Sequence, residues 1–265
     1  MATVREIYGA LDRWAPFSIQ MDFDNAGFLV GRGERETGKV LVSLDITLPV
    51  AQEAARLGAG LIVSHHPVIF QPVRRLTGDD PTGAVLLALA EEGIAAICAH
   101  TNLDAAAGGV NDCLARALEL TQVEQLHQDG ILSDGSPYGI GRVGQARRPG
   151  LPAGEYAAFV KEKLGAASVR WADSGRPVSR VAVGGGSCGS MLEDALAAGC
   201  DTFVTADVKY DVFLRARALG LNLLDAGHYA TEAVVCPALV RFLSEQFPSL
   251  EVVLSQVHKE VYSGV

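Results

Sequence analysis

Four of the six histidines of this 265-residue chain stand in three short polar motifs. The motifs are Ser64-His65-His66-Pro67, His100-Thr101-Asn102-Leu103-Asp104 and Gly227-His228-Tyr229-Ala230-Thr231-Glu232. Imidazole is the commonest metal ligand in proteins, and carboxylates can bridge two ions. One histidine after a strand is usually a hydrogen-bonded turn residue. Three such motifs in an otherwise alanine-rich chain indicate a metal site.

The spacing within the motifs adds to this interpretation. Glu232 lies four residues after His228, so a helix over residues 229–246 would put both side chains on one face. The adjacent His65 and His66 point in different directions and would most simply serve two different ions. Glu232 also has a simpler interpretation, because a carboxylate near a helix N-terminus is stabilised by the helix dipole. The two histidines outside the motifs are interpreted as hydrogen-bonded turn residues: His127 and His258.

The elements that must position these motifs are alternating strands and helices. Continuous apolar runs and tight glycine turns predict strands at residues 40–44, 61–64, 94–99 and 181–183. Amphipathic segments predict helices at residues 3–15, 49–57, 82–92 and 154–164. The candidate metal residues follow strand ends, where open parallel sheets collect their ligands.

The second half of the chain repeats the first. Residues 54–64 match residues 195–205, and residues 93–97 resemble residues 220–224 with a different offset. This pattern predicts two related β-α-β-α-β units, although unrelated βα units can share an Ala-x-x-x-Gly helix end. The predicted fold is therefore α/β, with two related lobes and a dinuclear metal site between them.

The predicted lobes are residues 1–125 with 229–265, and residues 126–228. The boundary follows a change in composition, because residues 127–153 are rich in glycine, proline and aspartate and suggest a loop-rich entry to the second lobe. The candidate metal residues come from both halves of the chain.

Composition excludes several classes of function. A formal net charge of −9 and a pI of about 5.1 disfavour nucleic acid and anionic membranes as partners. Five scattered cysteines without a C-x-x-C pair predict reduced thiols, and the N-terminal segment lacks the apolar core of a signal peptide. No apolar run approaches the ~20 residues of a membrane-spanning helix. The predicted location is cytoplasmic.

A glycine-rich segment offers a competing function. Gly184-Gly185-Gly186-Ser187-Cys188-Gly189 satisfies G-x-G-x-x-G between a strand and a helix, and Asp207 follows at a spacing close to that of a ribose-binding acid. A dinucleotide site is one interpretation of this segment. The others are a phosphate contact through Ser187 and the turn amides, and a plain tight turn.

Taken together, these motifs resemble the Nif-three-like dinuclear-metal-centre proteins, often named GTP cyclohydrolase 1 type 2 homologs. The resemblance runs nearly end to end and includes Asp24-Asn25-Ala26-Gly27, the three histidine motifs, and Gly109, Asn111 and Asp112. It implies metal ligands at His65, His66, Asp104, His228 and Glu232, with Glu232 bridging two ions. It also implies a toroidal homohexamer whose sites face an internal cavity, with His100 near the site but not a primary ligand.

The chain also departs from the resembled family. Longer relatives carry an inserted third domain, which this chain is expected to lack. Where the family has Thr-Gly-Glu after a strand, this chain has Thr205-Ala206-Asp207, which keeps the carboxylate on a shorter side chain.

The predicted function is a metal-dependent hydrolase of a small, nucleotide-like molecule. Its cofactors would be two divalent cations, zinc, iron or manganese, which activate water. His100 and Asp45 are the candidates for supporting a metal ligand or for acid–base work, although Asp45 could also cap the following helix. Asn25, Ser187 and Asp207 are the candidates for binding substrate. The alternatives are a metal carrier, store or insertion factor without catalysis, and a scaffold that the ions stabilise.

Overall fold

The computed structural model describes residues 1–263, which form two compact units. Unit 1 comprises Met1–Leu103 and Cys236–Lys259, and unit 2 comprises Asp104–Val235 with residues 260–263. Residues 104–125, predicted for the first lobe, thus lie in unit 2, as do residues 229–235. The reason is packing, since Leu114 and Leu118 are buried in the core of the second sheet.

The strands within the described residues are β1 (Ala2–Thr3), β2 (Gly27–Val30), β3 (Glu36–Thr37), β4 (Lys39–Ser43), β5 (Leu61–Ser64), β6 (Ala95–Cys98), β7 (Thr121–Gln125), β8 (Gly130–Ile131), β9 (Pro137–Tyr138), β10 (Arg142–Gln145), β11 (Arg170–Ala172), β12 (Arg180–Val183), β13 (Thr202–Thr205), β14 (Asn222–Asp225) and β15 (Glu251–Leu254). The α-helices are α1 (Val4–Trp14), α2 (Leu48–Leu57), α3 (Pro81–Glu91), α4 (Thr101–Ala105), α5 (Val110–Ala117), α6 (Ala153–Leu164), α7 (Leu192–Ala197), α8 (Tyr210–Ala218), α9 (His228–Glu232) and α10 (Cys236–Gln246). Short 3₁₀ turns lie at Phe17–Ile19, Gly189–Met191 and Ala233–Val235.

Unit 1 is built on a five-stranded sheet with the order β15-β4-β5-β6-β2. The first four strands are parallel, and β2 runs antiparallel to β6. Every residue of β5 and β6 is buried, as continuous apolar runs predict for strands covered on both faces. The carboxyl ends of β4, β5 and β6 therefore lie together at one edge of the sheet.

Unit 2 is built on a six-stranded sheet with the order β11-β14-β13-β12-β10-β7. The three central strands β12, β13 and β14 are parallel, and the outer strands are antiparallel to their neighbours. Successive side chains of β13 point to opposite faces of the sheet and pack into different hydrophobic clusters. Phe203 packs with residues of α7 and α8, and Val204 packs with residues of α5 and α6. Helices thus cover both faces of this sheet.

The parallel strands of the two units pair in the same register. Val40 pairs with Leu61 in unit 1, and Val181 pairs with Thr202 in unit 2. These are the positions that the repeat in the sequence aligns, so the register agrees with the predicted duplication. The third strands agree as well: Leu61↔Ala95 in one unit corresponds to Thr202↔Asn222 in the other.

The strands predicted at residues 40–44, 61–64, 94–99 and 181–183 and the helices predicted at 3–15, 49–57, 82–92 and 154–164 are present within one or two residues of those bounds. The segment 229–246 is not one helix, because a 3₁₀ turn at Ala233–Val235 separates α9 from α10. The segment 127–153 is more ordered than expected, because β10 forms inside it and joins the second sheet. Among the described residues, no helix is long and apolar enough to span a membrane. None of the five cysteines forms a disulfide within this part of the chain.

Candidate metal centre

Three histidines form a compact group at the carboxyl edge of the unit 1 sheet. His65 and His66 directly follow β5, and His100 follows β6 after one intervening alanine. Their ring centroids lie 5.0 to 5.4 Å apart. One potential ligand atom from each ring lies within 4.8 Å of the others, so the group has dimensions that could hold a metal ion. Three imidazoles suit zinc, copper, iron or nickel.

Each ring of this group is held through its Nδ1 atom. The acceptors are the carbonyl of Ala99 for His65 at 2.8 Å, Asp45 Oδ1 for His66 at 2.8 Å, and Asp24 Oδ1 for His100 at 2.7 Å. A carbonyl or an ionised carboxylate can only accept, so Nδ1 must carry the proton in each ring. Nε2 is then the nitrogen that a metal would bind, as in carboxylate–histidine–metal triads.

Asp24 is the most enclosed of these acceptors. Its side chain is fully buried, and its second oxygen accepts from the amide of Thr101 at 3.0 Å and from the Thr101 hydroxyl at 2.5 Å. Burial acts to raise the pKa of Asp24, but the hydrogen bonds of His100 and Thr101 outweigh it and lower the pKa to about 2. Asp24 therefore stays charged and fixes the orientation of His100.

Asp45 connects His66 to a second histidine far along the chain. Its Oδ2 accepts from Nε2 of His258 at 2.9 Å, while its Oδ1 accepts from His66. Burial raises the pKa of Asp45, but these two imidazoles outweigh it and hold the pKa well below its ordinary value. Asp45 does not cap the following helix, because Thr47 is the N-cap of α2.

The segment that carries His258 is itself anchored by a buried carboxylate. Glu53, on α2, accepts from the Ser255 hydroxyl at 2.5 Å and from the amide of Gln256 at 2.9 Å. The His258 amide donates to Ser255 Oγ at 3.3 Å. A chain of hydrogen bonds therefore runs from α2 through the C-terminal segment to His66.

Unit 2 carries a second group, composed mainly of carboxylates. His228 begins α9, separated by two residues from the carboxyl end of β14, and Glu232 lies on the same helix face, as the four-residue spacing predicts. Nδ1 of His228 contacts Asp207 Oδ2 at 2.6 Å, and its Nε2 contacts Glu232 Oε2 at 2.9 Å. The Glu232 side chain is only 4% exposed, whereas His228 is 35% and Asp207 52% exposed.

A glycine turn makes room for Glu232. Gly186 has a φ of 66°, in the left-handed region, and a Cβ at this position would lie 2.0 Å from Glu232 Oε1. The Gly186 amide donates to Thr231 Oγ1 at 3.0 Å, next to Glu232 in the chain. Any larger residue at position 186 would thus displace the carboxylate.

The buried Asn111 ties this turn to Asp104. Its Oδ1 accepts from the Gly185 amide at 2.9 Å, and its Nδ2 donates to the carbonyl of Asp104 at 2.9 Å. Asp104 and Glu232 are 8% and 3% exposed. Burial, then the charges of Asp104 and Glu232, raise the pKa of the Cys188 thiol. Two buried carboxylates near one thiol concentrate negative charge, which a divalent cation would neutralise.

Comparison with known proteins shows which family this chain belongs to. A sequence model of the family described as Duf34/NIF3 (NGG1p interacting factor 3) matches residues 2–261. The chain belongs to the Duf34/NIF3 family. A GTP cyclohydrolase 1 type 2 homolog of Clostridium perfringens is 31% identical to it, with 99% of both chains covered. Another of the same name, from Streptomyces coelicolor, is 38% identical over 89% of this chain and 84% of the relative.

Solved structures agree with this membership of the Duf34/NIF3 family. A hypothetical protein of Staphylococcus aureus superposes with a TM-score of 0.93 at 29% identity, and 99% of each chain is covered. The predicted Nif-three-like α/β fold is confirmed.

The residues predicted to bind substrate have other contacts in this family member. Asn25 Nδ2 donates to the carbonyl of Ile69 at 2.6 Å, and Asp207 reaches His228 despite its shorter side chain. Ser187 is exposed, but the amides around it are engaged: those of Gly185 and Gly186 as above, and that of Cys188 with Thr205 Oγ1 at 3.1 Å. A phosphate or dinucleotide on this turn would have to displace these bonds.

Sequence reasoning assigned no role to Asp24 and treated His258 as a turn residue. Asp24 lies in the Asp24-Asn25-Ala26-Gly27 motif, through which the chain resembles the family. A carboxylate in that motif was the signal that could have identified it as a site residue. His258 had no local signal, because its partner Asp45 lies 213 residues away. Asp45 itself was identified, and the structure shows that both of its oxygens orient histidines.

Proposed function

We propose that this chain is a hydrolase that uses two divalent metal ions, held by His65, His66, Asp104, His228 and Glu232. One observation carries the proposal: each candidate imidazole is held through Nδ1 by a carbonyl or carboxylate acceptor. Such partners raise the basicity of Nε2 and fix its direction, which is how metal-binding histidines are prepared. The buried carboxylates of Asp104 and Glu232 complete a nitrogen and oxygen donor set suited to zinc, iron or manganese.

A pair of such ions supplies Lewis acidity, which makes water a nucleophile near neutral pH and stabilises negative charge in the transition state. His100 is the residue we propose for moving a proton, because Asp24 fixes the orientation of its ring. Asp45 is a poor base, since both of its oxygens accept from imidazoles. Its role is to hold His66 in place.

The proposed substrate is a small nucleotide-like molecule. This part of the proposal is supported by the name of the curated relatives, GTP cyclohydrolase 1 type 2 homolog, which includes GTP. The acidic surface, with a net charge of −9, disfavours a nucleic acid polymer as the substrate.

Metal analysis combined with a hydrolysis assay tests the proposal. Protein purified without chelators should contain about two divalent ions per chain and should turn over a nucleotide from a panel that includes GTP. Chelation should abolish turnover, and zinc, manganese or iron should restore it. His228→Ala should lose activity by orders of magnitude. His100→Ala should keep its metal and lose activity by about 10²- to 10⁴-fold. Absence of stoichiometric metal would refute the proposal.

A metal carrier is the second candidate, and the exposure of one edge of the site favours it. His228 is 35% and Asp207 52% exposed, so solvent and competing ligands can reach this histidine. A carrier would contain the same ions but exchange them rapidly and hydrolyse nothing. Metal-exchange rates measured with a coloured chelator, together with the hydrolysis panel, separate the two functions.

We also propose that the protein assembles as a homohexamer in the cytoplasm. The assembly is supported by the family resemblance and by the preference of soluble oligomers for closed symmetry. Native mass spectrometry at micromolar concentration should show six chains, and a monomer alone would contradict the assembly.

A further inference from the structure

A groove of about 820 Å³ lies in unit 1, formed by the segment that follows His66 and by the start of α3. Its lining includes side chains that can stack on a ligand or form hydrogen bonds with it: Phe70, Gln71, Arg74, Arg75 and Thr82. The ring of Phe70 also packs edge-on against His100, with centroids 6.1 Å apart. The groove therefore adjoins the histidine group, and its size falls in the range of small-molecule sites, roughly 300–1,000 Å³.

Two exposed aromatic rings stand where the groove meets the histidines. Phe70 is 43% exposed and Phe23 is 64% exposed, and their rings lie nearly perpendicular with centroids 6.5 Å apart. Exposed phenylalanines adjacent to each other and to a polar site indicate a binding surface rather than a core. The face of such a ring can stack on a planar heterocycle.

The same groove presents two guanidinium groups. Arg74 and Arg75 are both exposed, and within the described residues neither makes a hydrogen bond or an ion pair. Two acids line the groove as well. Asp80 is committed to the N-terminus of α3, where it accepts from the Gly83 amide at 2.8 Å, and Asp79 is exposed. Arginine binds phosphate through two parallel hydrogen bonds, so this pair is suited to an anionic ligand.

Contacts at both ends fix the segment that forms the groove. Near its start, Asn25 Nδ2 donates to the carbonyl of Ile69 at 2.6 Å. Near its end, Thr77 packs so closely on Gly83 that a Cβ at position 83 would lie 2.2 Å from the Thr77 carbonyl oxygen. The segment is thus tied to the loop before β2 at one end and to α3 at the other.

We propose that this groove binds a nucleoside phosphate, with its base stacked on Phe70 and its phosphates on Arg74 and Arg75. The proposal rests on the proposed hydrolase function, for which it names the residues that recognise the substrate. Because Phe70 contacts His100, a base stacked on Phe70 lies against the histidine group, where the proposed ions would be held.

Binding measurements on metal-loaded protein test the proposal without relying on turnover. Isothermal titration with GTP, guanosine and inorganic triphosphate separates recognition of the base from recognition of the phosphates. Phe70→Leu should weaken GTP and guanosine binding roughly tenfold and leave triphosphate binding unchanged. The double variant Arg74→Gln/Arg75→Gln should weaken GTP and triphosphate at least tenfold and leave guanosine unchanged.

Matched controls remove the same groups elsewhere. Arg32→Gln/Arg56→Gln takes two exposed arginines from unit 1 outside the groove, and Trp171→Leu takes an exposed aromatic from unit 2. Both should bind all three ligands as the wild type does. Metal content, measured for every variant, reports on the proposed ion site separately. Wild-type protein that binds no GTP, or groove variants that bind like their controls, would overturn the groove proposal even with metal and turnover intact.

Discussion

In unit 1 the residues that follow the parallel strands are histidines, whereas in unit 2 the buried ligand candidates are mainly carboxylates. The strands themselves pair in the same register in both units. The supporting acceptors differ too: Asp24 in unit 1 is fully buried, but Asp207 in unit 2 is 52% exposed. A repeated sheet therefore fixes where ligands can stand, while the loop sequences decide their chemistry and how firmly they are held.

The largest effect should come from the carboxylate group of unit 2. Glu232→Gln removes the charge with little change in shape, so a bridging role predicts loss of both ions and metal content below about a tenth of the wild-type value. His65→Gln in unit 1 should impair one ion more than the other. Elemental analysis measures both. Glu193→Gln, which removes an exposed glutamate of unit 2, is the control and should retain all its metal. Equal losses of metal in Glu232→Gln and His65→Gln would contradict the expected difference between the ligands of the two units.

Gly186→Ala should act on the same carboxylate through the backbone. The φ of 66° alone costs a residue with a Cβ roughly 1–2 kcal/mol, and the contact with Glu232 adds to that cost and displaces the ligand. Urea denaturation of metal-free protein and metal analysis check the two consequences.

Gly199→Ala is a matched control for this variant. Gly199 has a similar φ of 73°, but a Cβ there would meet no atom within 4 Å. This variant should show the backbone cost alone and bind metal normally. If Gly186→Ala and Gly199→Ala bind metal equally, the close approach of Gly186 to Glu232 does not affect metal binding.

The acceptors also differ in the number of imidazoles that they contact, which predicts unequal effects of removing them. Asp45→Asn leaves only one carbonyl oxygen to accept from His66 and His258, and should weaken metal binding about 10- to 100-fold. Asp207→Asn should weaken it less, because Asp207 contacts one imidazole, that of His228. Competition titrations with a chelator of known affinity measure both. The reverse order would show that the number of imidazoles contacted does not set the strength of these supports.

The smallest effect concerns acid stability. Because the folded pKa of Asp24 is about 2, against an ordinary value of 3.8, its charge stabilises metal-free protein fully above pH ~4. That contribution, about 2 kcal/mol, is lost as the pH falls through 2. Asp24→Asn should therefore show a shallower fall in unfolding free energy between pH 4 and pH 2 than the wild type. Asp22→Asn, at an exposed neighbouring position, should keep the wild-type slope.

Local sequence was sufficient to predict the buried strands β4, β5, β6 and β12 and the residues at their ends. Runs such as residues 61–64 are apolar throughout because both faces of the strand are covered, and this pattern can be read without a structure. The four-residue spacing of His228 and Glu232 likewise predicted a shared helix face, which the structure confirms. The family resemblance then indicated which polar residues to expect together in one metal site.

Contacts between distant residues could not be predicted in the same way. His100 depends on Asp24 and His66 on Asp45, and only the folded sheet brings these pairs together. β10 was missed because its residues lie within a glycine- and proline-rich region, and pairing with β12 and β7 decides its conformation. Residues 104–125 belong to unit 2 because α5 packs in the core of that unit. This tertiary contact cannot be predicted from composition.

The contact between Asp45 and His258 also sets an order of events during synthesis. The two residues are 213 positions apart, and the main segment of unit 2, Asp104–Val235, is made between them. At a typical rate of about 5–20 residues per second, a ribosome needs roughly 10–40 s to pass from one to the other. During that interval the second sheet can fold on the nascent chain, while His66 still lacks the histidine that steadies its carboxylate partner. The support of His66 by Asp45 and His258 can therefore be completed only after residue 258 has been synthesised.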